Sequence, residues 1–333
     1  MDHTYALVVF IIIVALGFDF LNGFHDAANS IATIVSTRVL KPQWAVVWAA
    51  FFNFIAFLFF GLHVANTIGK GIVDPGVVDP LLILAALTGA IVWNIVTWFY
   101  GIPSSSSHAL IGAMGGAAIA KGGVHALNLG GFFKIGLSIL LSPLLGFVLA
   151  FLLMTAISIF CFKSTPGKVD RWFRRLQFVS AALYSLGHGG NDAQKTMGII
   201  AVLLFSTGMA GASFHVPLWV VLACQGAMGL GTLFGGWRIV RTMGMKITKL
   251  KPVGGFCAET AGAVTLFLAT ALGIPVSTTH TITGSIVGVG AVTKLSAVRW
   301  GVAQRIVWAW MITIPASAMV SGLTWWILRL SVY

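Results

Sequence analysis

Apolar segments recur along the whole chain, separated by short polar stretches. Most approach the ~20 residues that an α-helix needs to cross a bilayer, but those beginning near residues 24, 104, 192 and 276 are shorter and lie beside Gly or Pro. Short, interrupted segments are typical of broken or re-entrant membrane helices. The pattern predicts an all-α polytopic membrane protein with about 10–12 transmembrane segments. These cover roughly residues 5–22, 24–37, 43–62, 81–100, 104–120, 131–160, 176–190, 192–207, 217–236, 254–272, 276–293 and 303–330.

The composition narrows the class of protein further. Charged residues make up 8% of the 333 residues and apolar residues 58%, whereas soluble domains carry about 25% charged residues. A soluble domain and a disordered chain are both excluded. In a membrane protein the net charge of +12 marks cytoplasmic loops, so it does not predict nucleic-acid binding. We expect a multi-pass protein of the cell (inner or plasma) membrane, embedded in the lipid bilayer.

The chain also repeats itself. Gly-Ile-Pro-Ser-Ser-Ser-Ser-His at residues 101–108 recurs as Gly-Ile-Pro-Val-Ser-Thr-Thr-His at 273–280. Asn-Gly-Phe-His-Asp-Ala at 22–27 recurs more loosely as His-Gly-Gly-Asn-Asp-Ala at 188–193. The matched pairs occur in the same order at nearly the same offset, which predicts two repeats with a common fold. The repeats would comprise residues 1–162 and 176–333, joined by a basic linker at 163–175.

Loop charges predict that the two repeats have opposite orientations. The central loop carries five basic residues and the equivalent N-terminus none, while the loop at 238–251 carries five and its counterpart at 63–80 only one. By the positive-inside rule the repeats are inverted and the central loop is cytoplasmic. Inverted repeats are typical of alternating-access secondary transporters, in which the substrate site lies near the bilayer midplane between the repeats.

Polar side chains follow one face of the first predicted helix, from Asp19 through Asn22, Asp26 and Asn29. A carboxylate in hydrocarbon costs on the order of 3 kcal/mol, so it must face a cation, a partner or water. Hydrogen bonding between helices is the simpler alternative, especially for Asp19. Glycines beside the aspartates predict an unwound backbone that would offer carbonyl oxygens to a cation such as sodium, although close helix packing explains them equally well. The second repeat has an equivalent face of Ser185, His188, Asp192 and Lys195.

The two Ser/Thr runs, which follow Pro103 and Pro275, indicate a different chemistry. Proline is favoured at the first helical position, and Ser or Thr caps the free backbone N–H groups there. Such a helix start attracts anions, because its N–H donors and the positive end of the helix dipole point the same way. Two such starts could hold one tetrahedral anion, whereas simple capping remains the alternative for either run alone.

At these residues the sequence resembles the inorganic phosphate transporter (PiT) family. The resemblance rests on Gly-Phe-His-Asp-Ala-Ala-Asn-Ser at residues 23–30, on Gly-His-Gly-Gly-Asn-Asp-Ala-Gln-Lys at 187–195, and on the two Ser/Thr runs, and it covers essentially the whole chain. It implies a symporter that imports inorganic phosphate with a co-transported cation, Na+ or H+, and needs no cofactor. Some members of the family move sulfate or a metal–phosphate complex, so these substrates stay open. A homodimer is also left open.

The resemblance also implies roles for individual residues. The phosphate-binding residues would be Ser104, Ser105, Ser106, Ser107, Ser277, Thr278 and Thr279. Asn22, Asp26, Asn29, Asn191 and Asp192 would bind or couple the cation. Glu259, the only glutamate of the chain, joins them as a coupling candidate because it lies in an apolar segment. If the cation is sodium, its ligands would be Asp26, Asn29, Asn191 and Asp192.

Two other classes of protein fit the sequence less well than a transporter. A membrane phosphatase would need an activated nucleophile or a metal cluster. Ser107–His108 and Thr279–His280 are adjacent pairs whose side chains do not face each other on a helix, and no acidic cluster in the sequence suits a metal. The protein is therefore not expected to be an enzyme.

A passive anion channel is the other alternative. It would show conductance without cation dependence and would not need buried aspartates.

Overall fold

The computed structural model describes residues 2–211 and 213–332. Within these ranges the secondary structure is helical, apart from one isolated antiparallel bridge between Val73 and Leu127. The twelve α-helices are α1 (Asp2–Ser36), α2 (Pro42–Ile55), α3 (His63–Gly71), α4 (Pro80–Tyr100), α5 (Ser106–Gly122), α6 (Leu129–Phe160), α7 (Pro166–Ser206), α8 (Leu218–Phe234), α9 (Trp237–Arg241), α10 (Pro252–Ala271), α11 (Thr278–Thr293) and α12 (Trp300–Val332). The all-α polytopic architecture is thereby confirmed.

The order and length of the helices repeat between a first half, α1–α6, and a second half, α7–α12. Both halves start with a long helix of 35 or 41 residues and end with one of 32 or 33. α4 and α10 each begin with proline and are followed by Gly101 and Gly273, which have positive φ angles of 64° and 66°. Only glycine adopts this conformation without steric cost, so the same turn leads into both Ser/Thr runs.

The two halves interlock rather than standing side by side. α1 packs against α8 of the second half, and α7 packs against α2 of the first. Likewise α5 packs against α12, and α11 packs against α6. The N-termini of the short helices α5 and α11 are buried, and their first residues contact side chains of the long helices α1 and α7.

α1 and α7 are continuous, so the prediction of an unwound backbone beside Asp26 and Asp192 is wrong. The glycines there allow close contact between helices instead. A Cβ on Gly23 would lie 2.1 Å from the carbonyl oxygen of Met228, and one on Gly189 would lie 2.4 Å from that of Asn53. The predicted segments 5–22 and 24–37 are therefore one helix, as are 176–190 and 192–207. Most of the expected linker at 163–175 also belongs to α7, which begins at Pro166.

Five helices of the described chain are long and apolar enough to cross a membrane, namely α1, α4, α6, α10 and α12. The number rises to seven if two bent pairs each form one span. These pairs are α2 with α3, which meet at 82°, and α8 with α9, which meet at 60°. The larger estimate from the sequence divided α1 and α7 in two and included the short helices α5 and α11. α7 does not qualify, although it has 41 residues, because polar residues occupy its middle.

Candidate substrate and cation site

A buried polar cluster lies where the middles of α1 and α7 meet the N-termini of α5 and α11. Asp26 comes from α1 and Asp192 from α7, and both carboxylates are at most 2% exposed. The serines and threonines of the two Ser/Thr runs are at most 3% exposed. The cluster is therefore closed to solvent in this conformation.

Asp192 has several close partners. Its Oδ2 accepts a hydrogen bond of 2.8 Å from Thr278 Oγ1 and lies 3.2 Å from Nε2 of His188, one turn earlier on α7. Its Oδ1 accepts a hydrogen bond from the ammonium of Lys195, one turn later. A buried carboxylate costs least when it is paired and hydrogen-bonded in this way. Asp192 thus joins α7 directly to the start of α11.

Asp26 has fewer partners but lies close to Asp192. Its Oδ1 is 2.8 Å from Nδ1 of His25, whose Nε2 lies 3.0 Å from Thr97 Oγ1 on α4. Asp26, His188 and Asp192 each place a ligating atom within 4.8 Å of the other two. The two halves therefore bring their carboxylates to one point. The sequence expectation that no acidic cluster suits a metal is wrong, because this group forms only when α1 and α7 pack together.

His188 connects this point to the first half. Its Nδ1 lies 3.2 Å from the amide oxygen of Asn53 and 3.4 Å from Ser30 Oγ, and its Nε2 lies 3.2 Å from Oδ2 of Asp192. One of its ring nitrogens lies within 4.8 Å of an oxygen of each carboxylate. Two carboxylates and an imidazole form a donor set that can hold a metal cation.

Amide oxygens add to the acceptors of this region. Oδ1 of Asn22, Asn29 and Asn191 is buried and has no hydrogen-bond partner among the described residues. The amide nitrogen of Asn29 donates to Thr278 Oγ1 at 3.2 Å and Thr279 Oγ1 at 3.0 Å. That of Asn191 points elsewhere, to Thr270 Oγ1 at 3.0 Å and the Ile274 carbonyl at 3.3 Å. Unpaired buried acceptors are costly, and oxygen is the ligand that hard cations take. These three oxygens are therefore candidate ligands for a cation.

The Ser/Thr runs form matching helix starts. Ser105 caps α5 by accepting a hydrogen bond of 3.2 Å from the His108 N–H, and Ser277 caps α11 in the same way with His280. Each proline lies two residues before its cap, so the prediction of proline at the first helical position is wrong. The carbonyl oxygens of the prolines anchor the runs to the opposite half. Pro103 accepts from Trp310 Nε1 at 3.1 Å, and Pro275 accepts from Ser138 Oγ at 3.2 Å.

The two runs meet at the cluster. The ammonium of Lys195 donates to Ser107 Oγ in the first run and, at 2.8 Å, to the carbonyl oxygen of Val276 in the second. The rings of His108 and His280, one residue beyond each run, have centroids 4.5 Å apart. The remaining hydroxyls differ: Ser104 donates to Thr97 Oγ1 at 3.0 Å, whereas Ser106 Oγ is buried with no partner among the described residues.

Glu259 lies in a separate polar group. Its Oε1 accepts from Thr33 Oγ1 at 2.6 Å and from Gln177 Nε2 at 3.0 Å, and its Oε2 accepts from Ser180 Oγ at 2.5 Å. Thr33 follows Asn29 by one turn on the same face of α1, so the two groups are neighbours along that helix. Both oxygens of Glu259 are satisfied, in contrast to the amide oxygens near Asp26.

Several residues of the site were given no role from the sequence. Lys195 and His188 bind Asp192, and Tyr184 donates from its hydroxyl to the Thr278 carbonyl at 2.9 Å. A lysine in the middle of an apolar segment was itself a signal, because such a charge needs a specific partner. Gln177 and Ser180 carried no comparable signal, since their partner is about 80 residues away in the chain.

Comparison with known proteins places these observations in a family. A sequence model described as "Phosphate transporter family" matches residues 22–169 and again 162–321. A protein of Rhizobium meliloti (strain 1021) described as "Probable low-affinity inorganic phosphate transporter" is 68% identical over 97% of both chains. One with the same description from Bacillus subtilis (strain 168) is 49% identical over 99% of both.

A solved structure shows the same fold. The chain described as "The sodium-dependent phosphate transporter" matches with a TM-score of 0.89 and 28% identity, covering 98% of this chain and 99% of that one. The matched proteins are transporters and not enzymes, and the apolar helices fit a multi-pass membrane protein. The chain therefore belongs to the phosphate transporter family.

Proposed function

We propose that the protein imports inorganic phosphate across the cell membrane by symport with a cation, at a site that opens alternately to the two sides. The observation that carries this proposal is the closed cluster in which two Ser/Thr helix starts meet two buried aspartates. Family membership and the descriptions of the relatives support phosphate as the solute.

Phosphate would bind between the starts of α5 and α11, where hydroxyls and backbone N–H groups supply neutral donors. The residues in this role are Ser104, Ser105, Ser106, Ser107, Ser277, Thr278 and Thr279. Thr278 and Thr279 accept hydrogen bonds from Asn29, so they connect the phosphate donors to the cation ligands. Neutral donors suit an oxyanion that must leave again after transport.

The cation would bind beside Asp26 and Asp192, with Asn29 and Asn191 as further ligands and with Asn22 and Glu259 assisting its passage. Two bare carboxylates would repel a phosphate anion, so the cation must arrive first or together with the phosphate. The structural neighbour is described as sodium-dependent, which supports sodium as the cation. A proton is the alternative driving cation, and the uptake experiment below distinguishes the two.

The exchange of helices between the halves supports the transport step. Rocking of one half against the other would separate α5 from α12 or α11 from α6, and so open the cluster on one side at a time. In this proposal the repeats 1–162 and 176–333 are inverted and the basic segment at 163–175 is cytoplasmic. Each of the two family matches covers most of one half. A homodimer would be compatible with this mechanism but is not needed for it.

The test is uptake of labelled phosphate into proteoliposomes that contain the purified protein, under an imposed Na+ gradient or an imposed H+ gradient. We expect phosphate to accumulate under one gradient and to be unaffected by excess sulfate. Competition by sulfate would change the proposed substrate, and a requirement for Mg2+ or Ca2+ would indicate a metal–phosphate complex. Equilibration without accumulation under both gradients would refute symport and indicate a passive channel.

A further inference from the structure

Lys195 is unusual among the basic residues of the protein. It is 2% exposed, and among the side chains that the structure describes it is the only lysine or arginine that is buried. A lysine ammonium has three donors, and all three are used: Asp192 Oδ1, Ser107 Oγ and, at 2.8 Å, the Val276 carbonyl oxygen. The ammonium is thus surrounded by a carboxylate, a hydroxyl and a carbonyl, the oxygen ligands that a hard metal cation takes.

The first half has no charge at the equivalent position. Asp26 and Asn29 are three residues apart on α1, as Asp192 and Lys195 are on α7, and the same offset of 166 relates the two pairs. Asn29 leaves its Oδ1 without a partner among the described residues, whereas Lys195 brings a positive charge to its own aspartate. One half therefore presents a carboxylate beside an unpaired oxygen, and the other presents a carboxylate already neutralised.

We propose that Lys195 is a built-in cation that permanently occupies the cation position of the second half, so that Asp26 alone is neutralised by the exchangeable cation. This inference rests on the symport proposed above. Asp26 and Asp192 contribute two negative charges and Lys195 one positive charge, so one monovalent cation balances the three groups. With asparagine at position 195, as at position 29, the sum is two negative charges and two cations are required. Lys195 thus lowers the number of cations coupled to each phosphate by one.

The experiment measures this number directly. Purified protein in proteoliposomes accumulates labelled phosphate to equilibrium at zero membrane potential, against graded gradients of the cation that drives wild-type uptake. The logarithm of the phosphate ratio plotted against the logarithm of the cation ratio has a slope equal to the coupling number. We expect the slope of Lys195→Asn to exceed that of wild type by one, and that of Lys195→Arg to equal it. Lys163→Asn, which changes an exposed lysine, should also keep the wild-type slope.

A double variant separates charge balance from a merely structural role. Asp192→Asn combined with Lys195→Asn removes both charges, so we expect its slope to return to the wild-type value. Equal slopes for wild type and Lys195→Asn would overturn the inference and leave symport intact. If wild-type protein shows no cation-driven accumulation, symport itself fails, and the inference fails with it.

A binding measurement covers the case in which Lys195→Asn does not transport. Phosphate binding is measured as the rise in the unfolding temperature of the purified protein. The Hill slope of this rise against the concentration of the driving cation gives the number of cations bound with phosphate. We expect a steeper dependence for Lys195→Asn than for wild type and a wild-type dependence for the double variant. The same dependence for all three proteins, or the absence of phosphate protection in Lys195→Asn at every cation concentration, would overturn the inference.

Discussion

The two halves of the molecule have the same helices but different buried chemistry. In the second half Glu259 binds Gln177 and Ser180 and reaches across to Thr33 of α1. The positions equivalent to Glu259, Gln177 and Thr33, at offsets of 172 and 166, are Leu87, Ile11 and Ile199. These three residues are fully buried in one apolar cluster. The two halves therefore share the geometry of their helices, although only the second half carries a buried glutamate at this position.

The aspartates show the same contrast on a smaller scale. Asp192 is held by Lys195, Thr278 and His188, whereas the structure gives Asp26 a close partner only in His25 among the described residues. Asp192 is therefore the more firmly held carboxylate, and in the proposed mechanism Asp26 is the one that exchanges the cation. Substitutions at equivalent positions should separate these two roles.

Asp192→Asn and Asp26→Asn should differ most, the first in the free energy of unfolding and the second in phosphate uptake. Asp192→Asn leaves the Lys195 ammonium buried without its counter-charge, which should lower the free energy of unfolding by about 3–5 kcal/mol. Asp26→Asn breaks no buried ion pair of this strength, so it should stay folded but lose cation-driven phosphate uptake. Thermal unfolding in detergent and uptake into proteoliposomes measure the two effects.

Asp170→Asn is the matched control for both aspartates. Asp170 is a half-buried residue of α7 that pairs with Arg174 at 2.8 Å, and ion pairs at the surface contribute about 0–1 kcal/mol. This variant should keep both stability and uptake. Equal losses of stability in Asp26→Asn and Asp192→Asn would contradict the separation of roles.

A second variant makes the second half resemble the first. Glu259→Leu copies Leu87 but leaves the donors of Thr33 and Gln177 without their acceptor, while Ser180 keeps a bond of 3.2 Å to the Gln177 carbonyl oxygen. The free energy of unfolding should fall by about 1–3 kcal/mol for each donor left unpaired. Adding Gln177→Ile and Ser180→Val, which copy the first half, should recover part of this loss, as measured by thermal unfolding. A triple variant less stable than Glu259→Leu would show that the two regions are not equivalent in packing.

Where the halves agree, equivalent substitutions should have similar effects. Gly23→Ala and Gly189→Ala both place a methyl group against a backbone oxygen of a neighbouring helix, at 2.1 and 2.4 Å. Each should lower the free energy of unfolding by about 1–3 kcal/mol, because the helices must separate. Gly17→Ala meets no atom within 4 Å and should instead be stabilising by about 0.5–1 kcal/mol. A neutral effect of Gly23→Ala or Gly189→Ala would argue against this close packing.

The smallest effects concern the helix caps. Ser105→Ala and Ser277→Ala each remove an N-cap hydrogen bond and should lower the free energy of unfolding by ~1 kcal/mol. Asn128 caps α6, because its Oδ1 accepts a hydrogen bond of 3.2 Å from the Gly131 N–H. Asn128→Ala removes this cap and should lower the free energy of unfolding by a similar amount. Only the two serine variants should also raise the phosphate concentration that gives half-maximal uptake. If Asn128→Ala weakened it equally, the effect would follow from stability and not from phosphate binding.

The sequence predicted the features that rest on local pattern. The apolar segments became helices, and the duplicated motifs placed Asp26, Asp192 and the two Ser/Thr runs in the same polar cluster. Duplication was informative because two copies of a costly buried charge are hard to explain by packing alone. The sequence also predicted that Ser or Thr caps a helix start in each run, although the prolines were placed at the wrong helical position.

The features that rest on distant contacts could not be predicted. The glycines beside the aspartates left unwinding and close helix packing equally open, because the backbone oxygens that Gly23 and Gly189 approach belong to helices far away in the sequence. The role of Lys195 depends on Ser107 and Val276, which reach it only when the two halves interlock. Short-range periodicity contains no information about such an exchange of helices between halves.

The central claim is that cation and phosphate share one cluster and that Asp26 links them. Equilibrium binding of labelled phosphate to the purified protein, with and without the driving cation, tests it most directly. Because binding linkage is reciprocal, the cation should strengthen phosphate binding in wild type and have no effect in Asp26→Asn. Phosphate binding that is equally tight with and without the cation in wild type would contradict the account.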